Sequence, residues 1–251
     1  YNWHWYWDYG NGDIGNQGVH EMDKCIWGLN KKELPQGAVS VGGRMGVQDQ
    51  GETAHTQLAV LDYSDAKIIF EVRGLDTDGY EALPGKTEAV KVGNVFECEK
   101  GFMVFPTYSS CIAYTPAGEI IKRFGGGNFT AHFQNFIDAA KANKPENVTA
   151  NALDGHLSSA LCHLANISYR VGEAKPLSGK DVFGADAQGN EAFGRMVDHV
   201  KTNGVDVTKE SYTHGAMLKV DSKVEAIVDN PAASKFLRRD YRKGFEVPET
   251  P

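Results

Sequence analysis

The feature that most limits what this chain can fold into is a change of period at Gly125-Gly126-Gly127. Before it, apolar residues alternate in short runs: Ala38 to Val47, Thr56 to Tyr63, Lys67 to Val72, Glu88 to Glu97, Phe102 to Phe105, Cys111 to Tyr114 and Ile120 to Phe124. The links between them, among them Tyr63-Ser64-Asp65-Ala66, Glu99-Lys100-Gly101, Thr107-Tyr108-Ser109 and Pro116-Ala117-Gly118, have the length and composition of hairpin turns. Strands joined by tight turns must pair antiparallel, because parallel neighbours need long crossovers. After the glycines the spacing becomes helical. Asn128 is placed to cap a helix whose stripe is Phe129, Phe133, Phe136, Ile137 and Ala140, and a longer helix runs from about Asn151 to Val171. Shorter helices are expected over Glu191 to Lys201 and Lys223 to Asp229, before a Pro-bearing tail from Phe245 to Pro251. The pattern is α+β: strands first, helices as their cover. At 251 residues it is read as one domain, with the first helix and the strands in 1–125 and the mainly helical cover in 126–251.

Composition excludes several functions. A net charge of −7 argues against nucleic acid, whose binders carry a basic face, and no apolar run of about 18 residues offers a membrane span. The compartment is left open between cytoplasm and periplasm. Cys25, Cys98, Cys111 and Cys162 are scattered without the Cys/His spacing of a metal site and are read as buried free thiols; no metal is expected.

Chemistry concentrates between Asp8 and Leu29. Val19, Met22 and Ile26 recur at helical spacing, so a helix begins near Asn16, with Asn16, Gln17 and His20 in its first turn. Unpaired N–H groups and the positive end of the helix dipole favour hydroxyl-rich or anionic ligands there. Gly10, Gly12 and Gly15 match G-x-G-x-x-G, but the second parallel strand that a dinucleotide cradle needs is missing, since Ala38 to Val41 runs straight into Gly42-Gly43-Arg44. That glycine pair marks a bulge or a close approach of the backbone to a ligand. The opening YNWHWYWDY alternates aromatic and polar residues and reads as a strand, packed on the helix or offering rings for sugars to stack on. Beginning so abruptly on a strand, the sequence is expected to be part of something longer. His156 and His163, seven apart, flank the seam of the long helix, either as hydrogen-bonded interface residues or as ligand contacts.

GNGDIGNQGVHEMD at 10–23, GETAHTQLAVLDY at 51–63, the stretch from Asn128 to Ala140, GHLSSALCHLANISYRVG at 155–172 and LRRDYRKGFEVPE at 237–249 together resemble the C-terminal domain of the Gfo/Idh/MocA family, relatives of glucose-fructose oxidoreductase and inositol dehydrogenase. The resemblance implies a large open antiparallel sheet with helices on one face and oligomer contacts, as a homodimer or homotetramer, through the other. It also implies a separate N-terminal Rossmann domain that binds NAD or NADP and carries an E-K-P lysine; neither is found in this sequence, so no cofactor is expected in this chain. In the family a histidine on the first helix works with an aspartate four residues earlier beside the sugar carbon that is oxidised. His20 matches the histidine, and Asn16 stands where the aspartate would be. An amide orients a hydroxyl but does not take its proton. The candidate catalytic residues are therefore His20 and Asn16, and the candidate substrate-binding residues Asp13, Gln17, Arg44 and His156. The function implied is the substrate-binding and oligomerisation part of an NAD(P)-dependent sugar or polyol oxidoreductase. The alternatives are a carbohydrate-binding or scaffolding module without redox chemistry and a glycosidase-like relative.

Overall fold

A computed structural model describes residues 2–177 and 179–248. Tyr1 of the opening run and Glu249 to Pro251 of the tail lie outside the described residues. The elements are, in order, α1 (Gly12–Asn16), α2 (Gly18–Gly28), β1 (Gly37–Gly43), β2 (Thr56–Tyr63), β3 (Ala66–Arg73), β4 (Asn94–Cys98), β5 (Gly101–Phe105), β6 (Ser110–Tyr114), β7 (Ile120–Gly125), α3 (Phe129–Ala142), α4 (Ala152–Arg170), β8 (Glu173–Pro176), α5 (Ala187–Thr202), β9 (Ser211–His214), β10 (Leu218–Asp221), β11 (Ala226–Val228) and α6 (Pro231–Ser234).

The chain is α+β, with a large antiparallel sheet and helices. Seven strands form that sheet in the order β11-β10-β1-β2-β3, with β9 also on β1 and β8 beyond it. One edge of β1 is shared: Gly37 and Ala38 pair with β10, whereas Val41 and Gly42 pair with β9. The expected hairpin closes with Tyr63 opposite Ala66. Strands β4 to β7 form a second sheet of four, also antiparallel, around their own cluster of Val90, Val104, Ile112 and Tyr114. So the strands before the triple glycine divide between two sheets.

Helices cover both faces of the large sheet, where one had been expected. On one face Met22 and Ile26 of α2 and Leu157, Leu161 and Leu164 of α4 meet Ala38, Leu61, Tyr63, Ile68 and Leu218. On the other, Ala192, Phe193, Met196 and Val200 of α5 meet Val41, Leu58 and Tyr212. That is why β2, TQLAVLDY, is buried at every position but Asp62: a strand covered on both sides has no polar face to alternate with. One buried hydroxyl joins the two layers. Ser168 Oγ of α4 accepts the Ser40 N–H at 2.9 Å and donates to the Ala216 carbonyl at 2.7 Å, tying helix to sheet.

Other expectations are corrected. Residues Asn2–Trp5 form a 3₁₀ turn rather than a strand, and the residue it buries is His4 while Trp3 is exposed. The Trp5 carbonyl takes the N–H groups of Glu52 and Thr53, which fastens this turn to the loop after β1. Gly42-Gly43 is no bulge, because β1 and β2 stay in register through both; a Cβ on Gly42 would lie 2.5 Å from the Thr56 carbonyl oxygen, so the glycine serves close strand approach. The run from Glu88 keeps only Asn94–Cys98 as strand, with Val90 bridging Tyr80. Lys223 to Asp229 is not a helix: the Asp221 carboxylate accepts the N–H groups of Lys223 and Val224, turning the chain so that β11 returns along β10. Of the cysteines, Cys111 and Cys162 are buried, whereas Cys98 is exposed. The Asn128 cap is as expected, accepting from Thr130 N–H at 2.9 Å, but the α3 stripe faces outward, with Phe129, Phe133 and Phe136 exposed.

Candidate functional site

Helices α1 and α2 run almost as one. Gln17, at φ −81° and ψ −39°, keeps helical backbone between them, its N–H donating to Asp13 and its carbonyl accepting from His20. Ile14, Gly18, Met22 and Ile26 turn inward. Asp13, Asn16, Gln17 and His20, spaced at three and four residues, share the opposite side; Asn16 and His20 are exposed. The structure thus brings together four of the six residues proposed from the sequence.

One wall of this face was missed. Tyr108, at the tip of the β5–β6 hairpin, stands edge-on to the His20 ring with centroids 5.9 Å apart. Gln17 Nε2 donates to its hydroxyl at 2.5 Å and to buried Glu21 at 3.0 Å, while Lys24 Nζ lies 4.8 Å from the Tyr108 ring centre and 3.6 Å from Glu21. The small sheet is carried over α2 by Asn94, whose amide reaches the Glu21 carbonyl at 3.0 Å. A tyrosine at a Thr-Tyr-Ser hairpin tip has no core beneath it, which is the signal that could have singled it out. Neither ring nitrogen of His20 has a hydrogen-bond partner among the described residues. Its imidazole is therefore open to a ligand.

The other two residues are engaged by partners of their own. Arg44 places Nε and one terminal nitrogen on Asp49, the other on the Thr53 carbonyl, and stacks on Trp5; it braces the loop after β1. His156 pairs with Glu225 at 2.8 Å on the first turns of α4. Along α4, Ser158 meets Asp23 of α2 and Asn166 meets the Asn11 carbonyl, so the stretch of α4 level with His20 lies between these two, beyond His156. The structure does not bring His156 to His20.

Behind the face, Asp13 meets a buried basic group: His4 Nε2 is 3.5 Å from its carboxylate. Burial pushes the Asp13 carboxyl above the usual range, against the downward pull of His4, His55 and Arg44. His55 is enclosed beside it, its Nε2 facing the Met45 carbonyl at 3.2 Å and its Nδ1 the Thr56 hydroxyl at 2.8 Å. Burial, then Arg44, lowers its pKa; burial also lowers that of His199 on α5. Both protonate more readily when unfolded, so their stabilisation is complete above the unfolded pKa of about 6.5 and is lost as pH falls below it. The urea midpoint should therefore decline from pH 7.5 to 5.5, with a loss of unfolding free energy of at most about 1.4 kcal/mol per pH unit for each histidine. A midpoint that stayed level or rose over that range would contradict this placement of the two rings.

The G-x-G-x-x-G glycines serve the chain's own packing. A Cβ on Gly10 would lie 2.4 Å from His4 Cα, one on Gly12 2.9 Å from Thr53 and one on Gly15 2.2 Å from the Asn11 side chain. The backbone approach that a pyrophosphate requires is filled at each glycine, and the strands around it pair antiparallel, so these residues do not fit a nicotinamide dinucleotide. A concavity lined by Lys175, Asp181, Tyr212 and His214 contains none of the site residues.

No protein-family model and no curated protein matches the chain. Parts of solved structures do. The WlbA dehydrogenase from Bordetella pertussis, in complex with NADH and UDP-GlcNAcA, is similar at 15% identity and a TM-score of 0.40, over 67% of this chain and 46% of that one. A Thermotoga maritima protein designated an oxidoreductase is similar at 16% identity and a TM-score of 0.48, over 69% and 49%. A Klebsiella pneumoniae protein of the same designation is similar at 15% identity and a TM-score of 0.43, over 62% and 46%. The matches span about half the length of these relatives.

Proposed function

We propose that this chain binds a sugar or polyol on the α1–α2 face and supplies the acid–base histidine for oxidation of one of its hydroxyls, the nicotinamide cofactor, NAD or NADP, being held outside this chain. The observation that carries the reading is His20: exposed, without a hydrogen-bond partner among the described residues, and on one helical side with Asp13, Asn16 and Gln17. Alcohol oxidation needs a group that takes the hydroxyl proton while hydride leaves the same carbon, and imidazole takes and returns a proton near neutral pH. Asn16 offers amide donors and an acceptor to a hydroxyl-rich ligand, and Gln17, whose amide nitrogen donates to Tyr108 and Glu21, offers its amide oxygen as an acceptor. The motif resemblance supports the same reading. The nucleotide-carrying part and a second copy of the chain are the proposed partners, and the outward stripe of α3 is a surface on which cover is wanted.

Calorimetric titration with hexoses, uronic acids and inositols tests it. One of these classes should bind, and His20→Ala or Asn16→Ala should weaken binding by about tenfold, or 1.4 kcal/mol. NAD(H) and NADP(H) alone should not bind. A silent panel would refute the reading. Unchanged sugar binding by His20→Ala would point instead to a carbohydrate-binding module without this chemistry.

A further inference from the structure

Position 16 carries an amide where proton handling calls for a carboxylate, yet a carboxylate stands on the same helical side one turn earlier. Asp13 precedes Asn16 by three residues and His20 by seven. Its neighbour His4, at 3.5 Å, is almost wholly enclosed, with 2% of its side chain exposed against 26% for Asp13. The enclosure is built for that ring. Gly10 presses on the His4 backbone so closely that no side chain fits between them. The Trp5 ring lies 4.2 Å from the imidazole and Trp3 meets it edge-on at 6.0 Å. Trp5 is covered in turn by Arg44 and bonded through its carbonyl to Glu52 and Thr53. The aromatic run at the start of the sequence is thus a socket that aims one imidazole at one carboxylate, which keeps 26% of its side chain exposed.

We propose that Asp13 is the charged acceptor through which this site grips a ligand hydroxyl, and that buried His4 is the positioning residue that holds and tunes it. This rests on the sugar-binding reading and deepens it, since it names the ligand group: a hydroxyl pair able to donate to one carboxylate. An ionised carboxylate accepts from two hydroxyls, whereas a protonated one gives up part of that capacity. The charged and titratable groups facing Asp13 are His4 from the first turn, Arg44 from the loop after β1 and His55 at the start of β2. All three favour the ionised form, opposing burial.

Two measurements separate this from packing alone. A carboxyl-carbon NMR titration of the ligand-free chain should place the Asp13 midpoint at higher pH in His4→Gln than in the wild type, because the imidazole that favours the ionised carboxylate has been removed. An unmoved midpoint would mean that His4 only fills space. In parallel, the sugar found by calorimetry is titrated at pH 8 into wild type, Asp13→Asn and His20→Ala. Asp13→Asn should bind about tenfold more weakly, while its own unfolding midpoint in urea stays close to that of the wild type. If Asp13→Asn binds as well as wild type while His20→Ala is weakened, this inference falls and the function stands. If no sugar binds the wild type, both fall.

Discussion

Leu161→Ala is expected to cost about 3–5 kcal/mol of folding stability, the range for a fully buried leucine whose site cannot collapse. Leu161 is 0% exposed at the middle of α4, in the cluster that joins Met22 and Ile26 to Leu61, Ile68 and Leu218. Its neighbours on three sides are fixed. The sheet below is in register on both sides of β2, α2 is held at Ser158 by its hydrogen bond to Asp23, and α4 itself is pinned by Ser168. None can move inward to fill a lost isobutyl group. A domain of this kind has about 5–15 kcal/mol in all, so a large fraction would go. Urea unfolding would show a lower midpoint with an unchanged slope, as expected when stability falls without a change in exposed surface. A loss below about 1 kcal/mol would mean that α4 is not seated on the sheet as described.

The elements that could be read directly from the sequence are those decided by neighbouring residues. The Tyr63–Ala66 hairpin, the Asn128 cap and the α4 stripe each depend on a few adjacent side chains and a turn or cap geometry. Where a distant contact decides, the reading fails. The period-two aromatics at the start suggest a strand, yet what organises them is the contact of His4 with Asp13 and of the Trp5 carbonyl with residues 52 and 53. Lys223 to Asp229 has tolerable helical spacing, but Asp221 outside it sets a turn. The α3 stripe is a true amphipathic helix; periodicity shows that a face wants cover and does not say what covers it. The site divides the same way. The grouping of Asn16, Gln17 and His20 follows from their spacing and was legible, whereas Asp13 stands on the short helix before them and nothing in the sequence fixed its direction. Tyr108 reaches His20 only because Asn94 carries a separate sheet across α2, and Arg44 looked available until Asp49 and Thr53 closed on it.

Gly101→Ala should act on the small sheet without dismantling the large one. Gly101 opens β5 at φ +139°, a conformation in which an L side chain is strained by about 1–3 kcal/mol. A Cβ there would also lie 1.9 Å from the Tyr114 carbonyl oxygen, so β5 and β6 must part or the Cys98–Gly101 turn must rebuild. The four-stranded sheet has little with which to resist. Its buried cluster is Val90, Val104, Ile112 and Tyr114, distinct from the clusters on either face of the large sheet, and every residue of β7 is exposed. A unit with so small a core opens on its own before the rest of the chain. Amide exchange over 94–125 should therefore rise by about a hundredfold or more, corresponding to about 3 kcal/mol, while β1 to β3 keep their protection. The consequence reaches the site, because the hairpin that opens is the one that holds Tyr108 against Gln17 and His20. Ligand affinity should drop along with protection of the small sheet, although no residue of the α1–α2 face has been changed. Exchange that rose equally in β1 to β3 would show that the two sheets unfold as one body, and Tyr108 would then be fixed by the whole fold rather than by a separable wall.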